Sequence, residues 1–312
     1  MMRIFDNEVA TESREVIESY LKSMEYRASG LTFTSLYMWR DINSISWEEA
    51  GGYLCIASDN HLEESGARPF AFLPLTRTGA YEPESLRQAV LHAKAKFQDA
   101  GHSFFMKLVP FHLLEHLHDA FPGEFIYIPD RDNYDYVYLT ADLAEFKGRD
   151  LHKKKNHLNY FRNHFPEYRY DEMTEDDAEE AIAFIKDFNA RKGDLAPNEK
   201  KLLEHEELAM QDVFRNLSKT GYISGAIRID GRIEAISIGG RLGRSTVVCH
   251  IEKANTEFRG LYQAICSEYC KKLAGRFKYV NREEDMGLQG LRKAKLSLHP
   301  VRMVEKFTVM FK

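Results

Sequence analysis

The chain has 312 residues, of which 44% are hydrophobic and 29% are charged, and its formal net charge at pH 7 is −5. These values are typical of a globular protein that is long enough for a large core or for two domains. It has no apolar run of about 18 residues or more, which predicts no membrane-spanning helix. The N-terminal sequence lacks the basic and apolar regions of a signal peptide, so we expect a cytoplasmic protein.

The predicted elements of the first half follow the order β-β-α-β-α-β-β up to residue 140. An amphipathic helix at 12–24 and the aromatic-rich run Phe33–Arg40 precede them. The predicted strands lie at 53–57, 69–75, 104–109, 124–127 and 134–139, and the helices at 86–97 and 113–121.

The second half begins with a basic segment at 147–160 that favours a helix. The pair Asp230-Gly231 predicts a tight hairpin over 222–238, because it suits a type I′ turn. The other predicted strands lie at 168–172, 245–252, 277–280 and 302–311, and the helices at 174–191, 198–218, 261–273 and 287–296. Both halves thus contain a meander followed by alternating strands and helices. This order predicts an α/β (α+β) protein with two lobes, 1–145 and 146–312, although a single mixed sheet is an alternative.

The stretch from Arg244 to Asp285 contains most of the functional signal. Its loop places Arg259 and Gly260 at a helix N-terminus, where backbone N–H groups and the helix dipole can bind an anion. Its last strand leads into the polar run 281–285, at a position where open α/β sheets keep their binding sites. We expect the strands at 244–252 and 277–281 to be neighbours in one sheet.

Several segments have the order and composition of a known family: LHKKKNHLNYF, HIEKAN, RGLYQA, NREEDMGLQGLRKAK and LYMWR (151–161, 250–255, 259–264, 281–295 and 36–40). On these segments nearly the whole chain resembles the C-terminal domain of phosphatidylglycerol lysyltransferases and their relatives. The resemblance implies two tandem Gcn5-related acetyltransferase-like lobes, each with a mixed central sheet flanked by helices. It also implies transfer of an amino acid from aminoacyl-tRNA to an amine or hydroxyl acceptor by direct attack.

The chain departs from acyl-CoA-binding members of that fold at the turn before the helix at 261–273. Arg259 and Gly260 are adjacent, and Leu261 and Tyr262 stand where small residues would let the backbone approach a pyrophosphate. Ordinary acetyl-CoA use is therefore less expected, and acyl-CoA or aminoacyl-tRNA would be donor substrates, not tightly bound cofactors. The multi-span membrane domain of the lysyltransferases is absent from the sequence, so direct lipid modification is also less expected.

The interval 147–169 carries seven lysines and arginines against two carboxylates. Lys153, Lys154 and Lys155 could bind the phosphate backbone of tRNA, in which case the affinity would depend on salt. The alternative is a solvated basic face with no ligand.

Glu252 and His250 are the candidate catalytic residues. Alternation along the strand puts them on one face, and either could accept a proton from an attacking amine. The alternative is that His250 is a hydrogen-bonded histidine of the core.

Asn281, Arg282, Glu283 and Asp285 are the candidate substrate-binding residues, because they combine amide, cation and carboxylates. An inter-lobe network of salt bridges is the alternative. Glu252 and Arg282 should face one pocket, near the N-terminus of the helix at 261–273.

Tyr37, Trp39 and Arg40 could close the cleft from the first lobe, or simply belong to its core. No metal-ligand spacing is present in the sequence, and Cys55, Cys249, Cys266 and Cys270 are expected to be reduced core thiols. A non-catalytic protein that binds RNA or a small anionic ligand is the alternative function. We expect the acceptor to be a small molecule. The sequence does not specify which molecule this is, nor the oligomeric state of the protein.

Overall fold

The structure is a computed structural model that describes residues 3–22, 26–59, 68–193 and 197–312, without the side chains of residues 197–199 and 202. The helices are α1 (Arg14–Leu21), α2 (Phe33–Trp39), α3 (Pro83–Asp99), α4 (Leu114–Ala120), α5 (Thr140–Glu145), α6 (His152–His164), α7 (Ala178–Ala190), α8 (Pro197–Arg215), α9 (Leu217–Thr220), α10 (Leu261–Leu273) and α11 (Gln289–Leu296). The end of the helix predicted at 12–24 lies outside the described residues.

The strands form two mixed sheets. They are β1 (Asn7–Glu8), β2 (Ile45–Ala50), β3 (Tyr53–Ser58), β4 (Phe70–Ala71), β5 (Leu75–Thr76), β6 (Phe105–Pro110), β7 (Phe125–Pro129), β8 (Asp135–Leu139), β9 (Arg169–Asp171), β10 (Ile223–Ile229), β11 (Arg232–Leu242), β12 (Thr246–Ala254), β13 (Tyr279–Asn281), β14 (Arg302–Val304) and β15 (Lys306–Phe311). The predicted fold class, two mixed sheets flanked by helices, is confirmed.

The first sheet has the order β1-β2-β3-β4-β6-β15-β7, with β5 paired to β3. The second has the order β14-β8-β13-β12-β11-β10-β9. Among the described residues each sheet contains one parallel pair, β4 with β6 and β12 with β13, and the other pairs are antiparallel.

The two halves of the chain exchange strands. β8 lies in the second sheet, between β13 and β14, although it precedes residue 145. β15 lies in the first sheet, between β6 and β7. The single terminal strand predicted at 302–311 is therefore wrong: it breaks at Glu305, and its two parts pair in different sheets. The division into lobes 1–145 and 146–312 stays a prediction. β8 and β15 each pair in the sheet that is formed mainly by the other half of the chain.

The hairpin at Asp230-Gly231 and the pairing of β12 with β13 are confirmed. Asp230 and Gly231 have φ of 51° and 80°, as a type I′ turn requires. β12 pairs with β13 only over residues 246–248, so its later residues extend past the end of β13. The two strands thus diverge, and side chains of the second half of β12 are available to a cavity.

Packing on both faces of the second sheet holds β12 and β13 in this diverging arrangement. One face packs on α5, α6 and α10, with Leu158, Phe161 and Ile265 in the core. The other face packs on α7, α8 and Met38 of α2. The predicted basic helix at 147–160 begins later, at His152, and continues to His164, because Leu158 and Phe161 anchor it against α10.

Candidate functional site

A cavity of about 490 Å³ lies between α2, β12, the segment after β13, α11 and the first residue of β15. It is of a size that suits a small-molecule substrate. Its lining residues are Ser29, Gly30, Ser35, Trp39, Ile42, Asn43, Glu206, Cys249, His250, Ile251, Glu252, Arg282, Glu283, Glu284, Met286, Leu291, Lys295 and Lys306. Elements from both halves of the chain therefore build one site.

His250 enters this site through a β-bulge in β12. Ile238 of β11 pairs with Ile251, while Gly239 pairs with Cys249, so His250 has no partner residue on β11. A Cβ atom at Gly239 would overlap the backbone of β12, which explains the glycine opposite the bulge. The bulge breaks the alternation of side chains along the strand.

The expectation that alternation places His250 and Glu252 on one face is therefore wrong. The bulge puts Cys249 in the core on the α10 side and Ile251 in the core on the α7 side. His250 bonds to α2, whereas Glu252 bonds to Arg282, which in turn reaches α10. Both residues still line the cavity.

The imidazole of His250 is fixed at both nitrogens. Its Nδ1 lies 2.7 Å from a carboxylate oxygen of Glu283, and its Nε2 lies 2.8 Å from the hydroxyl of Thr34. The side chain of His250 is fully buried. A proton on Nδ1 donates to Glu283, while the hydroxyl of Thr34, which donates to Thr32 at 3.1 Å, contacts the ring at Nε2. His250 therefore positions Glu283.

Glu283 is the carboxylate best placed for proton transfer. Its backbone φ is +59°, an uncommon conformation for a residue other than glycine, and it turns the chain directly after β13. Burial raises the pKa of the Glu283 carboxyl, although the contact with His250 opposes the shift. A carboxyl with a raised pKa, facing a cavity, is a candidate general base.

Arg282 and Glu252 form an ion pair in the same cavity. A guanidinium nitrogen of Arg282 lies 2.6 Å from a Glu252 oxygen, and another lies 3.0 Å from the sulfur of Cys266. Burial and the charge of Arg282 both lower the pKa of Lys295 and of Lys154. Lys154, on α6, is thus electrostatically coupled to the site, and Lys295 donates to the carbonyl oxygen of Arg282.

Asn281 and Asp285, both predicted to bind substrate, lie outside the residues that line the cavity. The amide nitrogen of Asn281 donates to Asp135 at 3.0 Å, and its oxygen accepts from the backbone N–H of Glu283 at 2.8 Å. Asp285 is fully buried and accepts from Arg292 at 2.7 and 2.8 Å; these hydrogen bonds hold its pKa well below the ordinary value. Asn281 supports the turn at Glu283, and Asp285 anchors α11.

Of the predicted cleft-closing residues, Trp39 lines the cavity. Tyr37 is buried in the first core, and burial raises the pKa of its hydroxyl. Arg40 lies 4.0 Å from the Tyr37 ring centre and binds Asp212 of α8 at 2.9 Å. Arg40 therefore joins the two halves of the chain beside the cavity.

The predicted anion-binding groups lie around α6. Gly260 precedes α10 with a φ of 90°, and a Cβ atom there would overlap the carbonyl oxygen of His157 on α6. Arg259 is exposed and lies 4.5 Å from the ring centre of Tyr160, also on α6. The N-terminus of α10 thus faces the α6 backbone, and its role in binding an anion stays a prediction.

Lys153 and Lys155 are exposed on α6, whereas Lys154 is half-buried. Arg162 binds Glu268 of α10 at 2.9 Å, so this cation is used inside the protein. The exposed lysines are available to a phosphate backbone, and tRNA binding by them stays a prediction.

Comparison with protein families identifies the chain. A family model described as "Phosphatidylglycerol lysyltransferase, C-terminal" matches residues 21–310. The chain belongs to this family. No curated protein matches the chain. The resemblance inferred from the sequence is thereby confirmed.

Solved structures agree with membership of the lysyltransferase C-terminal family. A conserved protein of unknown function from Bacteroides thetaiotaomicron is 27% identical, with a TM-score of 0.85, over 98% of this chain and 99% of that chain. The L-PGS of Bacillus licheniformis is 11% identical, with a TM-score of 0.66, over 99% and 93% of the chains. The C-terminal domain of a putative lysylphosphatidylglycerol synthetase from Agrobacterium fabrum is 14% identical, with a TM-score of 0.61, over 96% and 90%. The last two show the fold.

Several residues of the candidate site were missed in the sequence. Lys306 is almost fully buried and binds Asp135 at 2.5 Å and Glu284 at 3.3 Å. Thr34 holds His250, and Lys295 reaches the turn after β13. A lysine at the start of a mostly apolar strand, as Lys306 is in KFTVMF, was the available signal.

A second cavity, of about 470 Å³, lies against α7. Of the carboxylates in its lining, Glu180 accepts from Arg228 and from the backbone N–H of Ile233, and Glu234 accepts from Asn255 at 2.8 Å. Glu180 thus holds α7 to the sheet, and Glu234 joins β11 to the residue after β12. Because both carboxylates are used in the fold, we place the candidate chemistry in the cavity around Glu283.

Among the described residues, no helix is both long and apolar enough to cross a bilayer. Within the same part of the chain, no cluster of three or more histidine, cysteine, aspartate or glutamate residues could hold a metal ion. All four cysteines are free and buried. The expected cytoplasmic location stays a prediction.

Proposed function

We propose that the chain transfers an aminoacyl group from aminoacyl-tRNA to a hydroxyl or amine acceptor in the cavity around Glu283. The observation that carries the proposal is the hydrogen bond between Glu283 and the buried His250, which holds a carboxylate of raised pKa against a cavity of substrate size. Membership of the lysyltransferase C-terminal family supports the choice of reaction.

In the proposed reaction the acceptor oxygen or nitrogen attacks the ester carbonyl of the aminoacyl-tRNA. The Glu283 carboxylate accepts the proton from the acceptor as the new bond forms. The carbonyl becomes a tetrahedral oxyanion, and the positive charges of Arg282 and Lys295 stabilise it. The ester bond then breaks, and the proton on Glu283 passes to the leaving tRNA hydroxyl.

Glu252 and His250, the residues first suggested by the sequence, act in this proposal through their neighbours. Glu252 orients the guanidinium of Arg282, and His250 orients the carboxylate of Glu283. Glu284 also lines the cavity, and its contact with Lys306 outweighs burial and lowers the pKa of its carboxyl. Glu284 therefore stays ionised and can bind the ammonium group of the aminoacyl donor.

The donor would approach across α6. Lys153 and Lys155 are exposed there, and Lys154 on the same helix is coupled to Arg282. A phosphate backbone bound to the outer lysines would bring the 3′ end of a tRNA towards the cavity. This geometry favours aminoacyl-tRNA over acyl-CoA as the donor.

The test is transfer of a radiolabelled amino acid from aminoacyl-tRNA to a polyol or to a primary amine. The Glu283→Gln variant should retain tRNA binding and lose activity by about 100-fold or more. Glu115→Gln, at an exposed glutamate of α4, is the control. Because the pKa of Glu283 is raised, the rate should increase with pH as this group loses its proton, and the variant should lose that dependence.

Tight binding of aminoacyl-tRNA with no transfer to either acceptor would contradict catalysis. It would support instead the alternative of a non-catalytic RNA-binding protein. Transfer from acyl-CoA but not from aminoacyl-tRNA would contradict the proposed donor.

A further inference from the structure

A further cavity, of about 310 Å³, lies where the two halves of the chain meet. The first half contributes α1, the residue after it and the start of α2, and the second half contributes the start of β10, the end of β11 and the loop before β13. The cavity lies behind the candidate site, because Thr34 belongs to its wall and contacts His250 at 2.8 Å. We call it the junction cavity.

The charged side chains of the junction cavity are mostly positive. Four cations line it: Arg14, Lys22, Arg241 and Arg276. The single carboxylate in the lining, Glu18, is already paired twice, with Arg14 at 3.0 Å and with Lys22 at 2.7 Å. Four cations against one carboxylate leave an excess of three positive charges, which favours an anionic ligand.

Two of these cations have hydrogen-bond donors to spare. Arg241 donates through Nε to the carbonyl oxygen of Gly243 at 2.8 Å, and its two terminal nitrogens have no further bond among the described residues. Arg276 lies 5.6 Å from the ring centre of Phe277, and the same part of the chain gives it no carboxylate partner. Both side chains are exposed. The planar fork of a guanidinium fits the oxygens of a phosphate, so Arg241 and Arg276 are suited to bind one.

The rest of the wall is largely apolar. Leu21, Phe33 and Phe277 are buried, and Ile223 is half-buried. A bare inorganic ion would leave this apolar surface in contact with water, whereas an organic group attached to the anion would cover it. The volume of the junction cavity is at the lower end of the range for small-molecule sites. Its shape and lining therefore match a small ligand with an apolar part and an anionic head.

We propose that the junction cavity binds a small organic phosphate monoester. A phosphate monoester carries a charge of about −1.5 to −2 at pH 7 and has three acceptor oxygens, whereas a carboxylate or sulfate ester carries a single charge. The phosphate matches the two guanidiniums of Arg241 and Arg276, and it bridges cations from both halves of the chain that otherwise repel one another. This site does not depend on the proposed transfer reaction, since binding alone reveals it.

The experiment is isothermal titration calorimetry of the full chain with phenyl phosphate, phenyl sulfate, inorganic phosphate and phenol. We expect phenyl phosphate to bind about tenfold or more tightly than phenyl sulfate and inorganic phosphate, and phenol to show no binding. The site variant carries Arg241→Gln and Arg276→Gln and should bind phenyl phosphate about 30-fold or more weakly. The control variant carries Arg68→Gln and Arg232→Gln, two exposed arginines, one from each half, and should bind like the parent chain.

No saturable binding of phenyl phosphate up to about 1 mM would overturn the proposal, as would equal affinities of the site and control variants. Phenyl sulfate that binds as tightly as phenyl phosphate would overturn the assignment of a phosphate.

Displacement of phenyl phosphate by uncharged tRNA, with weaker tRNA binding in the site variant, would show that a nucleic acid occupies the junction cavity and would also overturn the proposal. Melting temperatures of both variants without ligand should match the parent chain, because all four substituted side chains are exposed. Loss of transfer activity with phenyl phosphate binding intact would contradict the proposed function alone.

Discussion

Replacing Lys306 with methionine should destabilise the protein by about 3 kcal/mol. The ammonium of Lys306 binds Asp135 at 2.5 Å, Ser29 at 3.2 Å and Glu284 at 3.3 Å, and its side chain is 2% exposed. Removing one partner of a buried ion pair costs about 3–5 kcal/mol. The lower value applies because Asp135 keeps three other donors: the N–H and hydroxyl of Ser29 and the amide of Asn281.

Urea unfolding followed by far-UV circular dichroism and by tryptophan fluorescence is the measurement. Trp39 and Trp47, the two tryptophans of the chain, both lie in the first half, while circular dichroism reports the whole molecule. Coincident curves would justify a two-state free energy. The control is Lys272→Met, which removes a surface ion pair with Glu172 and should cost at most about 1 kcal/mol.

The loss in free energy of unfolding caused by Lys306→Met should depend on pH. Burial raises the pKa of Asp135 in the folded protein, and removal of Lys306 raises this pKa further. A carboxyl whose pKa is raised on folding binds its proton more tightly in the folded state. Stability therefore falls as pH rises from the unfolded-state pKa through the folded-state pKa. The difference in free energy of unfolding between the parent chain and the variant should therefore become smaller as the pH is lowered through the raised pKa of Asp135.

Adding Asp135→Asn to Lys306→Met should recover at least half of the loss, because no unpaired charge remains. The reasoning would be refuted if Lys306→Met and Lys272→Met cost the same, or if the deficit did not change between pH 7 and acid.

Three further predictions concern the site and α6. Gly260→Ala should lower the free energy of unfolding by roughly 2 kcal/mol more than Gly275→Ala, measured by thermal or urea unfolding. Both glycines have positive φ, but of the two only Gly260 lies against a backbone carbonyl. Equal losses of stability would contradict the close approach of the α6 backbone to Gly260. Arg282→Lys should lower the transfer rate by about tenfold or more with a near-native melting temperature, since lysine lacks the planar fork, and an unchanged rate would contradict its role. Replacing Lys153 and Lys155 together with alanine should weaken tRNA binding and reduce its salt slope by roughly 2, and unaltered binding would leave these lysines as a solvated face.

Local features of the fold were predictable from the sequence. The Asp230-Gly231 turn and the hairpin it joins depend on neighbouring residues, and β12 and β13 were correctly expected to pair. The family resemblance, also found in the sequence, was confirmed. These features depend on residues that are close together in the sequence or on a strong local sequence pattern.

The missed features depend on contacts between residues that are distant in sequence. The bulge at His250 needs the partner strand β11, although two consecutive glycines, Gly239 and Gly240, marked the place. Nothing local marks the positive φ of Glu283. Asp285 accepts hydrogen bonds from Arg131 and Tyr136 of the first half as well as from Arg292, and these contacts leave it buried, although its position in a polar run favoured a role at the substrate.

The position of β15 also determines the order in which the protein can form. This strand separates β6 from β7, so until residues 306–311 are made, two strands of the first sheet lack the neighbour that joins them. During synthesis, where earlier domains usually fold first, the first sheet cannot close while the second is being translated. We expect the first sheet to stay incomplete, with the edges of β6 and β7 that pair with β15 lacking their partner, until residues 306–311 leave the ribosome.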